Sequence, residues 1–440
     1  MQPIKIDLLI NSRWIIPVVP ENRVFENCAL AIDQQKIVGI YPQAEAQSKF
    51  DPLSVVDLAD HILMPGLVNA HGHAAMSLLR GYADDLPLQP WLEEHIWPVE
   101  ARVLSAEFVA DGTNLAMAEM IKTGTTCFAD MYFFADTVAE QVQRSGMRSQ
   151  VGFTVFDFPT AGGKDPDDYI HKGLQLRDIY KGDGLIKIAC APHAPYTVGD
   201  ETMRRIATYA NELDMPVHIH CHETAQEVDD SLKLYGCRPL QRLDDLGVLL
   251  PQTQLVHMTQ IDDSDIRLIQ DNNCHVVHCP ESNLKLASGF CPVGKLIDAG
   301  VNVALGTDGA ASNNDLDLFG ELKTAALLAK AVAGDASVLD AHAALRMATI
   351  NGAKALGWDD QIGSLEAGKS ADMIAVEISS LSQKPLYNPA SQLVYSNAGS
   401  QVTHSWVAGK ALLRERNLVT LDEDNLIRRA DAWRNQISPL

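Results

Sequence analysis

The order of apolar and polar residues divides the chain into three zones. In the first zone, alternating runs separated by turn-forming residues predict four short strands, at 4–10, 13–17, 28–33 and 36–42. Short strands return near the other end, at 373–377, 404–407 and 410–414, before an amphipathic helix over 422–436. We expect a small β-sandwich domain assembled from residues 1–62 and 365–420, followed by a C-terminal helix within 421–440.

The middle zone, residues 63–364, alternates strand-like runs with helix-length amphipathic runs. Eight strands are predicted, at 63–69, 125–130, 150–156, 186–191, 216–220, 254–257, 275–278 and 302–306. Helices are expected between most of them, for example over 106–121, 202–213, 262–270 and 316–332. Eight repeats of strand and helix favour an α/β fold of the parallel (β/α)8 TIM-type barrel kind over an open doubly wound sheet. No strand is followed by a G-x-G-x-x-G or Walker sequence, so a nucleotide cofactor has no support.

Composition and net charge exclude two classes of binding partner. The 440 residues include 57 acidic and 35 basic side chains, which gives a net charge of −22, and there is no Lys/Arg-rich run. Binding to nucleic acid or to an anionic membrane surface requires a basic patch, so neither is an expected partner.

Membrane insertion and secretion are not expected either. No run approaches the ~18 apolar residues of a membrane span, and the N-terminal residues lack the basic and apolar regions of a signal peptide. The eight cysteines are scattered and form no C-x-x-C pair. Reduced thiols in a cytoplasmic protein are the simplest interpretation.

Histidines collect at the predicted strand ends, where the active sites of (β/α)8 barrels lie. One such histidine usually serves packing or capping. Here four strand ends supply histidines and a fifth supplies a carboxylate, which together predict a metal site. The residues are His71 and His73, His193, His220, His257 and Asp308.

The sharpest motif is His71-Gly72-His73. Residues two apart on a strand point the same way, so both imidazoles can meet one metal ion. We expect Gly72 to let the backbone pass close to that ion, and Pro65-Gly66 to give the strand a sharp entry.

The run His218-Ile-His220-Cys-His222-Glu223 is ambiguous, because its three histidines would share one face of an extended strand. At most one need be a ligand, and His218 is expected to face the barrel interior. The spacing of His220 and Glu223 suits a ligand followed by a carboxylate that moves protons beside it. Alternatively, Glu223 is a first-turn residue of a helix over 224–234.

Two further residues have alternative interpretations. His257 ends a short apolar run and is either a buried packing residue or part of the site. Asp308 follows a strand and could bind metal and accept a proton, or could cap the helix near Leu316, a role that residues 313–315 suit better.

A second metal would need a bridging carboxylated lysine at a strand end. Lys187 lies at the beginning of its strand, so one metal is predicted.

These motifs resemble the amidohydrolase superfamily. The resemblance runs nearly end to end and is carried by the split β domain, by H-x-x-E at His220–Glu223, and by residues 65–73, 307–314 and 363–372. Within it the chain is similar to the 5-methylthioadenosine/S-adenosylhomocysteine deaminases, through residues 97–100, 191–197 and 282–286.

The resemblance implies one zinc ion, or a similar divalent metal such as iron, per subunit of a homo-oligomer. Its implied ligands are His71, His73, His220 and Asp308. Glu223, His257 and Asp308 would be catalytic, with Glu223 moving protons and His257 contacting the attacking water. Glu100 would bind the ribose hydroxyls, and His193, Glu223 and Asp308 would also contact a small-molecule nucleoside.

The implied reaction is hydrolytic deamination of an adenine ring to the inosine derivative and ammonia. Another aminohydrolase, acting on guanine, a pterin or a triazine, would keep the metal ligands but change Glu100 and His193. An inactive scaffold would be expected to lose ligands, and none is missing.

One region departs from some family members, which carry arginines after the third strand, suited to the carboxylate of S-adenosylhomocysteine. Here residues 151–164 are mostly apolar, and Lys164 is their only cation. We therefore hypothesise a preference for methylthioadenosine or adenosine over S-adenosylhomocysteine.

Overall fold

The computed structural model describes residues 2–438, which form two eight-stranded sheets. One sheet combines both chain ends. Its N-terminal strands are β1 (Ile4–Ile15), β2 (Phe25–Asp33), β3 (Lys36–Pro42) and β4 (Phe50–Pro65).

The other sheet is the barrel, whose neighbouring strands run parallel in chain order. Its strands are β5 (Leu67–Asn69), β6 (Thr125–Tyr132), β7 (Arg148–Val155), β8 (Ile186–Pro192), β9 (Val217–Cys221), β10 (Thr253–His257), β11 (His275–His278) and β12 (Asn302–Leu305). The Ala70 amide donates to the Leu305 carbonyl at 2.8 Å, which brings the first and eighth strands together. The predicted (β/α)8 barrel is confirmed.

The C-terminal strands complete the first sheet, here called the terminal sheet. They are β13 (Met373–Glu377), β14 (Val402–Val407), β15 (Lys410–Arg414) and β16 (Asn417–Leu418). The strand order is β16-β15-β14-β13-β4-β1-β2-β3, so β4 and β13 join the two chain ends. A second sheet built from both ends is therefore confirmed.

Helices cover the barrel and fill its loops. They are Gln43–Lys49, Ala74–Leu79, Leu88–Pro90, Trp91–Ile96, Trp97–Val103, Ala106–Thr123, Ala135–Ser145, Pro166–Ile179, Asp200–Leu213, Ala225–Tyr235, Pro239–Asp245, Asp263–Asp271, Pro280–Lys285, Val293–Asp298, Ala310–Asn313, Leu318–Ala333, Ala341–Met347, Ile350–Ala355, Leu381–Gln383, Pro389–Tyr395, Gly399–Gln401 and Glu423–Ile437. Local sequence sets many of their ends. Ser105, for example, caps Ala106–Thr123 by accepting from the Phe108 amide, and Gly124 ends that helix at φ +99°.

The N-terminal zone differs from the prediction in two ways. The strands expected at 4–10 and 13–17 form the single strand β1, and β4 was not predicted. β4 contains Asp51, Pro52 and Asp57, residue types that are depleted in strands. Pairing with β1 on one side and β13 on the other overrides that local preference.

The junction between the two sheets is a single residue, Gly66, between the end of β4 and the start of β5. A side chain there would overlap Thr126 of β6. The Gly66 amide donates to the Asp372 carbonyl at 3.1 Å, next to β13. This close approach explains the sharp entry predicted from Pro65-Gly66. It also explains why β5 begins at Leu67 and not at residue 63.

A buried ion pair reinforces this connection. The Arg148 Nε at the start of β7 donates to the Asp372 Oδ2 at 2.9 Å, and both side chains are at most 2% exposed. The Ala408 amide also donates to Asp372, at 2.8 Å. One carboxylate thus ties the barrel to the terminal sheet.

All eight cysteines are free thiols, and only Cys237 is partly exposed. Within residues 2–438, no helix combines the length and apolar character needed to cross a membrane.

Candidate metal centre and substrate pocket

A pocket opens at the carboxyl ends of the barrel strands, and most of the site residues predicted from the sequence line it. They are His73, Glu100, His193, His220, Glu223, His257 and Asp308. His71 lies fully buried beside the pocket, in ring contact with His73, His220 and His257. The predicted residues are therefore brought together from β9, β10, the loops after β5, β8 and β12, and the helix Trp97–Val103.

The donor atoms of this cluster are spaced as the ligands of a single ion would be. Asp308 Oδ1 lies 3.3 Å from His71 Nε2 and 3.2 Å from His73 Nε2. Two ligands of a tetrahedral zinc ion, each about 2.0–2.1 Å from the metal, are roughly 3.3 Å apart. A second group of mutually close donor atoms comes from His71, His220 and His257.

The hydrogen bonds of the histidines orient their rings toward that centre. His73 Nδ1 lies 2.5 Å from the Met131 carbonyl, and His220 Nδ1 lies 2.7 Å from the His193 carbonyl. A carbonyl can only accept, so each Nδ1 donates and each Nε2 keeps a lone pair for a metal. His71 Nε2 is buried without a hydrogen-bond partner among residues 2–438. An orphaned ring nitrogen beside a carboxylate fits a divalent ion.

Asp308 is held as a carboxylate with a fixed orientation. The Ser282 hydroxyl donates to its Oδ2 at 2.7 Å, and the Gly309 amide donates to its Oδ1 at 2.8 Å. Burial raises the pKa of Asp308, but the adjacent rings of His71 and His73 outweigh burial and hold that pKa well below its usual range. Asp308 is therefore ionised in the resting site.

The alternative capping role for Asp308 does not occur. Asp317, which the sequence did not suggest, caps the helix Leu318–Ala333 by accepting from the Phe319 amide at 3.0 Å. Gly72 also differs from expectation in what it approaches. A Cβ at Gly72 would lie 3.3 Å from the Asp308 carbonyl, so this glycine makes room for the chain after β12.

Glu223 lies between β9 and the helix Ala225–Tyr235, before the N-cap residue Thr224. It is therefore not a first-turn residue of that helix. Glu223 Oε2 is 3.8 Å from His257 Nε2, and both side chains are at most 8% exposed. Burial raises the pKa of Glu223. A raised pKa favours the protonated carboxyl group, the form that can donate a proton.

His257 is aimed into the pocket by Asn283, whose Oδ1 lies 2.9 Å from His257 Nδ1. With Nδ1 donating to this amide oxygen, Nε2 faces Glu223 and the other donors. The backbone of His257 has φ +75°, an uncommon conformation for a non-glycine residue. His257 thus belongs to the site.

The other two histidines of the β9 run lie outside the pocket. His218 Nε2 contacts His71 Nδ1 at 2.8 Å, from inside the barrel. His222 Nε2 accepts from the Leu240 amide at 3.0 Å, and its Nδ1 lies 3.0 Å from the Gln260 carbonyl. Both nitrogens of His222 are therefore occupied by backbone groups.

Glu100 and His193 form the polar part of the pocket away from the metal donors. The Tyr132 hydroxyl donates to Glu100 Oε1. Burial raises the pKa of Glu100 to about 7, although the bond from Tyr132 lowers it. His193 stacks on Phe156 with ring centroids 4.8 Å apart, and its Nδ1 lies 3.0 Å from the Thr197 hydroxyl.

The remaining walls of the pocket are mainly apolar. They include Met76, Leu88, Trp91, Leu92, Ile96, Trp97, Met131, Phe133, Phe156 and Leu286. Among residues 2–438, no lysine or arginine lines this pocket. Lys187 reaches the carbonyls of Leu356 and Gly357, away from the site, as its place in the strand predicted.

Sequence reasoning missed several residues that support the site. Tyr132 ends β6 and could have been found by asking which residue closes the second strand. Ser282 and Asn283 belong to the segment 282–286 that carries the resemblance, but no role was predicted for them. They lie in the helix Pro280–Lys285 and hold Asp308 and His257. No motif marks their contacts, because each is made across the barrel rim between distant parts of the chain.

Comparisons with known proteins agree with this geometry. The profile of the Amidohydrolase family matches residues 62–412. The chain is 54% identical over 432 residues to a 5-methylthioadenosine/S-adenosylhomocysteine deaminase of Teredinibacter turnerae, covering 98% of each chain. It is 56% identical to the protein of that name from Saccharophagus degradans, covering 98% of this chain and 97% of that one.

A solved structure is also similar over its whole length. The crystal structure of an adenosine deaminase from Xanthomonas campestris with bound zinc superposes with a TM-score of 0.98 and 52% identity, covering 99% of each chain. Fold, metal donors and sequence agree, and the chain belongs to the amidohydrolase family.

Proposed function

We propose that this chain catalyses the hydrolytic deamination of the adenine ring of 5′-methylthioadenosine and related adenosines, releasing ammonia and the inosine derivative. One observation carries the proposal. A single pocket places a metal-donor cluster and the buried acid Glu223 beside Glu100, a carboxylate suited to a ribose diol. The names of the two bacterial relatives and of the Xanthomonas campestris structure point to the same reaction.

His71, His73, His220 and Asp308 would hold one divalent ion, and zinc is the ion bound by the Xanthomonas campestris protein. When bound, such an ion supplies a Lewis acid that lowers the pKa of water from about 15.7 toward about 7.

Side chains of this protein then carry out the proton transfers. Glu223 gives a proton to the ring nitrogen beside the amine-bearing carbon. The attacking water, hydrogen-bonded by His257, bonds to that carbon and gives one proton to Asp308. Glu223 next takes the new hydroxyl proton and delivers it to the amine, so the carbon–nitrogen bond breaks and ammonia leaves. The proton on Asp308 restores Glu223, and no proton is gained or lost.

The polar side chains away from the metal donors would hold the nucleoside. Tyr132 occupies only one oxygen of Glu100. Glu100 therefore keeps acceptor capacity for the two ribose hydroxyls. His193, stacked on Phe156, contacts the nucleoside from the loop after β8.

The apolar walls support a ranking of substrates. S-adenosylhomocysteine carries a charged amino-acid group, and burying an unpaired charge against apolar side chains is costly. A methylthio group has no charge and fits such walls. We therefore expect methylthioadenosine or adenosine to be preferred, as measured by kcat/KM on the three nucleosides. A strong preference for S-adenosylhomocysteine would reject this ranking.

An ammonia-release assay tests the function directly. The purified, metal-analysed protein is assayed with methylthioadenosine, adenosine, S-adenosylhomocysteine, guanine, a pterin and a triazine, and the products are identified by mass spectrometry. We expect turnover of the adenine nucleosides, with each product 1 Da heavier than its substrate. Turnover of guanine, the pterin or the triazine alone would favour another aminohydrolase. A metal-loaded protein that turns over none of them would favour a scaffold.

We also propose a cytoplasmic location and a homo-oligomeric assembly. Seven buried free thiols support a reducing compartment, the cytoplasm. The homo-oligomer implied by the resemblance stays a prediction, which light scattering on the purified protein measures.

A further inference from the structure

The turn that carries Glu223 is fastened by one buried carboxylate, that of Glu227. Glu227 Oε1 accepts from the His222 amide at 2.9 Å, and Oε2 accepts from the Glu223 amide at 2.8 Å. Glu227 is 9% exposed and is the third residue of the helix Ala225–Tyr235. Its two oxygens therefore hold two consecutive peptide units.

This arrangement differs from an ordinary capping box. Thr224 is the N-cap and accepts from the Glu227 amide, which is the expected half of the box. In the other half, the acid at the third helical position normally accepts from the N-cap amide itself. Glu227 also bonds the amides of the two residues before Thr224. Its carboxylate thus serves the turn in front of the helix.

That turn needs external support. His222 has φ +53°, a left-handed conformation that is unfavourable for a non-glycine residue. On the opposite side, the Thr259 hydroxyl donates to the Glu223 carbonyl at 2.6 Å, and the Thr259 amide donates to the His222 carbonyl at 3.0 Å. The backbone of Glu223 is therefore held at its amide by Glu227 and at its carbonyl by Thr259.

We propose that Glu227 is a positioning residue for the proton transfer, acting through the backbone of Glu223. The inference rests on the proposed function, because it assigns Glu227 to the reaction that Glu223 serves. Glu227 does not line the pocket and does not contact the reacting atoms. It fixes where the Glu223 carboxyl group stands relative to His257 and Asp308.

The first test is Glu227→Gln. The amide keeps the size of the side chain but has one acceptor oxygen, so one of the two backbone amides loses its partner. We expect kcat with methylthioadenosine to fall about 10- to 100-fold, because small misplacements of reacting groups cost that much. KM should stay within about twofold, and the zinc content should not change. Glu227→Asp keeps both acceptors on a shorter side chain and should lose less.

A control that also removes side-chain acceptors from backbone amides is Asp183→Ala. Asp183 Oδ1 also accepts from two nearby amides, those of Leu185 at 2.7 Å and Ile186 at 3.0 Å. Asp183 lies just before β8 begins, at the end of the barrel away from the pocket. Asp183→Ala leaves both amides without this acceptor, so we expect it to lower the thermal unfolding temperature without changing kcat. An equal loss of kcat in the control would assign the effect of Glu227→Gln to stability alone and overturn the proposal.

A double-mutant cycle separates positioning from a general structural effect. If Glu227 acts through Glu223, then Glu227→Gln should add little to the loss already caused by Glu223→Gln. Fully additive losses, or an unchanged kcat in active Glu227→Gln protein, overturn the positioning role but leave the deaminase function standing. A wild-type protein that releases no ammonia from any adenine nucleoside overturns both.

Discussion

The Nε2 atom of His218 lies 2.8 Å from the Nδ1 atom of His71, so the ring of one candidate metal ligand is held by a second buried histidine. For His71 Nε2 to keep a lone pair for a metal, its Nδ1 must donate to His218. We predict that His218→Leu weakens zinc binding about 10- to 100-fold, the usual effect of removing such a support. Competition with a chromophoric chelator measures it. His218→Gln, which can still accept, should bind zinc more tightly than His218→Leu, and equal affinities would contradict the orienting role.

Glu223→Gln should separate metal binding from turnover. The amide cannot give or take a proton, whereas the metal donors are left in place. We expect a full zinc content and a loss of kcat of about 10²-fold or more, consistent with the size of general acid–base effects. Metal analysis and ammonia release on the same sample check both parts. Retention of most activity would refute the assignment of Glu223.

Binding of the ribose should depend on pH through Glu100. Burial raises the pKa of Glu100 to about 7. Above that pH the group is a carboxylate that can accept from both hydroxyls, and below it the proton removes part of that capacity. KM for adenosine should therefore rise as the pH falls through about 7.

The analogue 2′,3′-dideoxyadenosine lacks both hydroxyls and provides the control. The ratio of its KM to that of adenosine cancels the titration of groups that serve both substrates. We expect this ratio to fall as the pH falls below about 7 in the wild type, and to be flat in Glu100→Gln. A ratio independent of pH in the wild type would remove Glu100 from ribose binding.

The buried pair of Arg148 and Asp372 should matter for stability and not for chemistry. Asp372→Ala leaves the Arg148 guanidinium buried without its partner, which typically costs about 3–5 kcal/mol. Urea denaturation should show that loss in the free energy of unfolding. The double variant Arg148→Met/Asp372→Leu should recover most of it, because a buried ion pair replaced by apolar residues is often neutral. Folded Asp372→Ala should keep the wild-type KM.

Much of the barrel could be predicted because its signals are local. Strand and helix periods differ, and seven of the eight predicted strands match β6 to β12. The run predicted at 63–69 is divided between β4 and β5. The candidate metal donors could also be predicted from the sequence. His220 lies in β9, and His71 and His73 follow β5, where a spacing of two residues indicates that both side chains point the same way. The predicted order of strands and helices was therefore enough to locate the site.

The parts that sequence reasoning missed depend on contacts through space. β4 is a strand because β1 and β13 pair with it, despite its aspartates and proline. Tyr132 acquires its role only when the helix bearing Glu100 folds over β6. Glu227 looked like an ordinary residue of a helix, because nothing in its spacing shows that it bonds the turn before the N-cap.

The one-residue connection at Gly66 has a consequence for how this chain can vary. β4 is paired on both sides in the terminal sheet, and β5 follows it immediately and leads to His71 and His73. Inserting or deleting one residue here would either shift β4 against its partners or turn the two histidines to the outer face of the barrel. Rim loops that carry no metal donor can change length and leave the donors in register, but this junction cannot. The terminal sheet contributes no atom to the pocket. Through Gly66 it nevertheless determines which residues after β5 face the pocket.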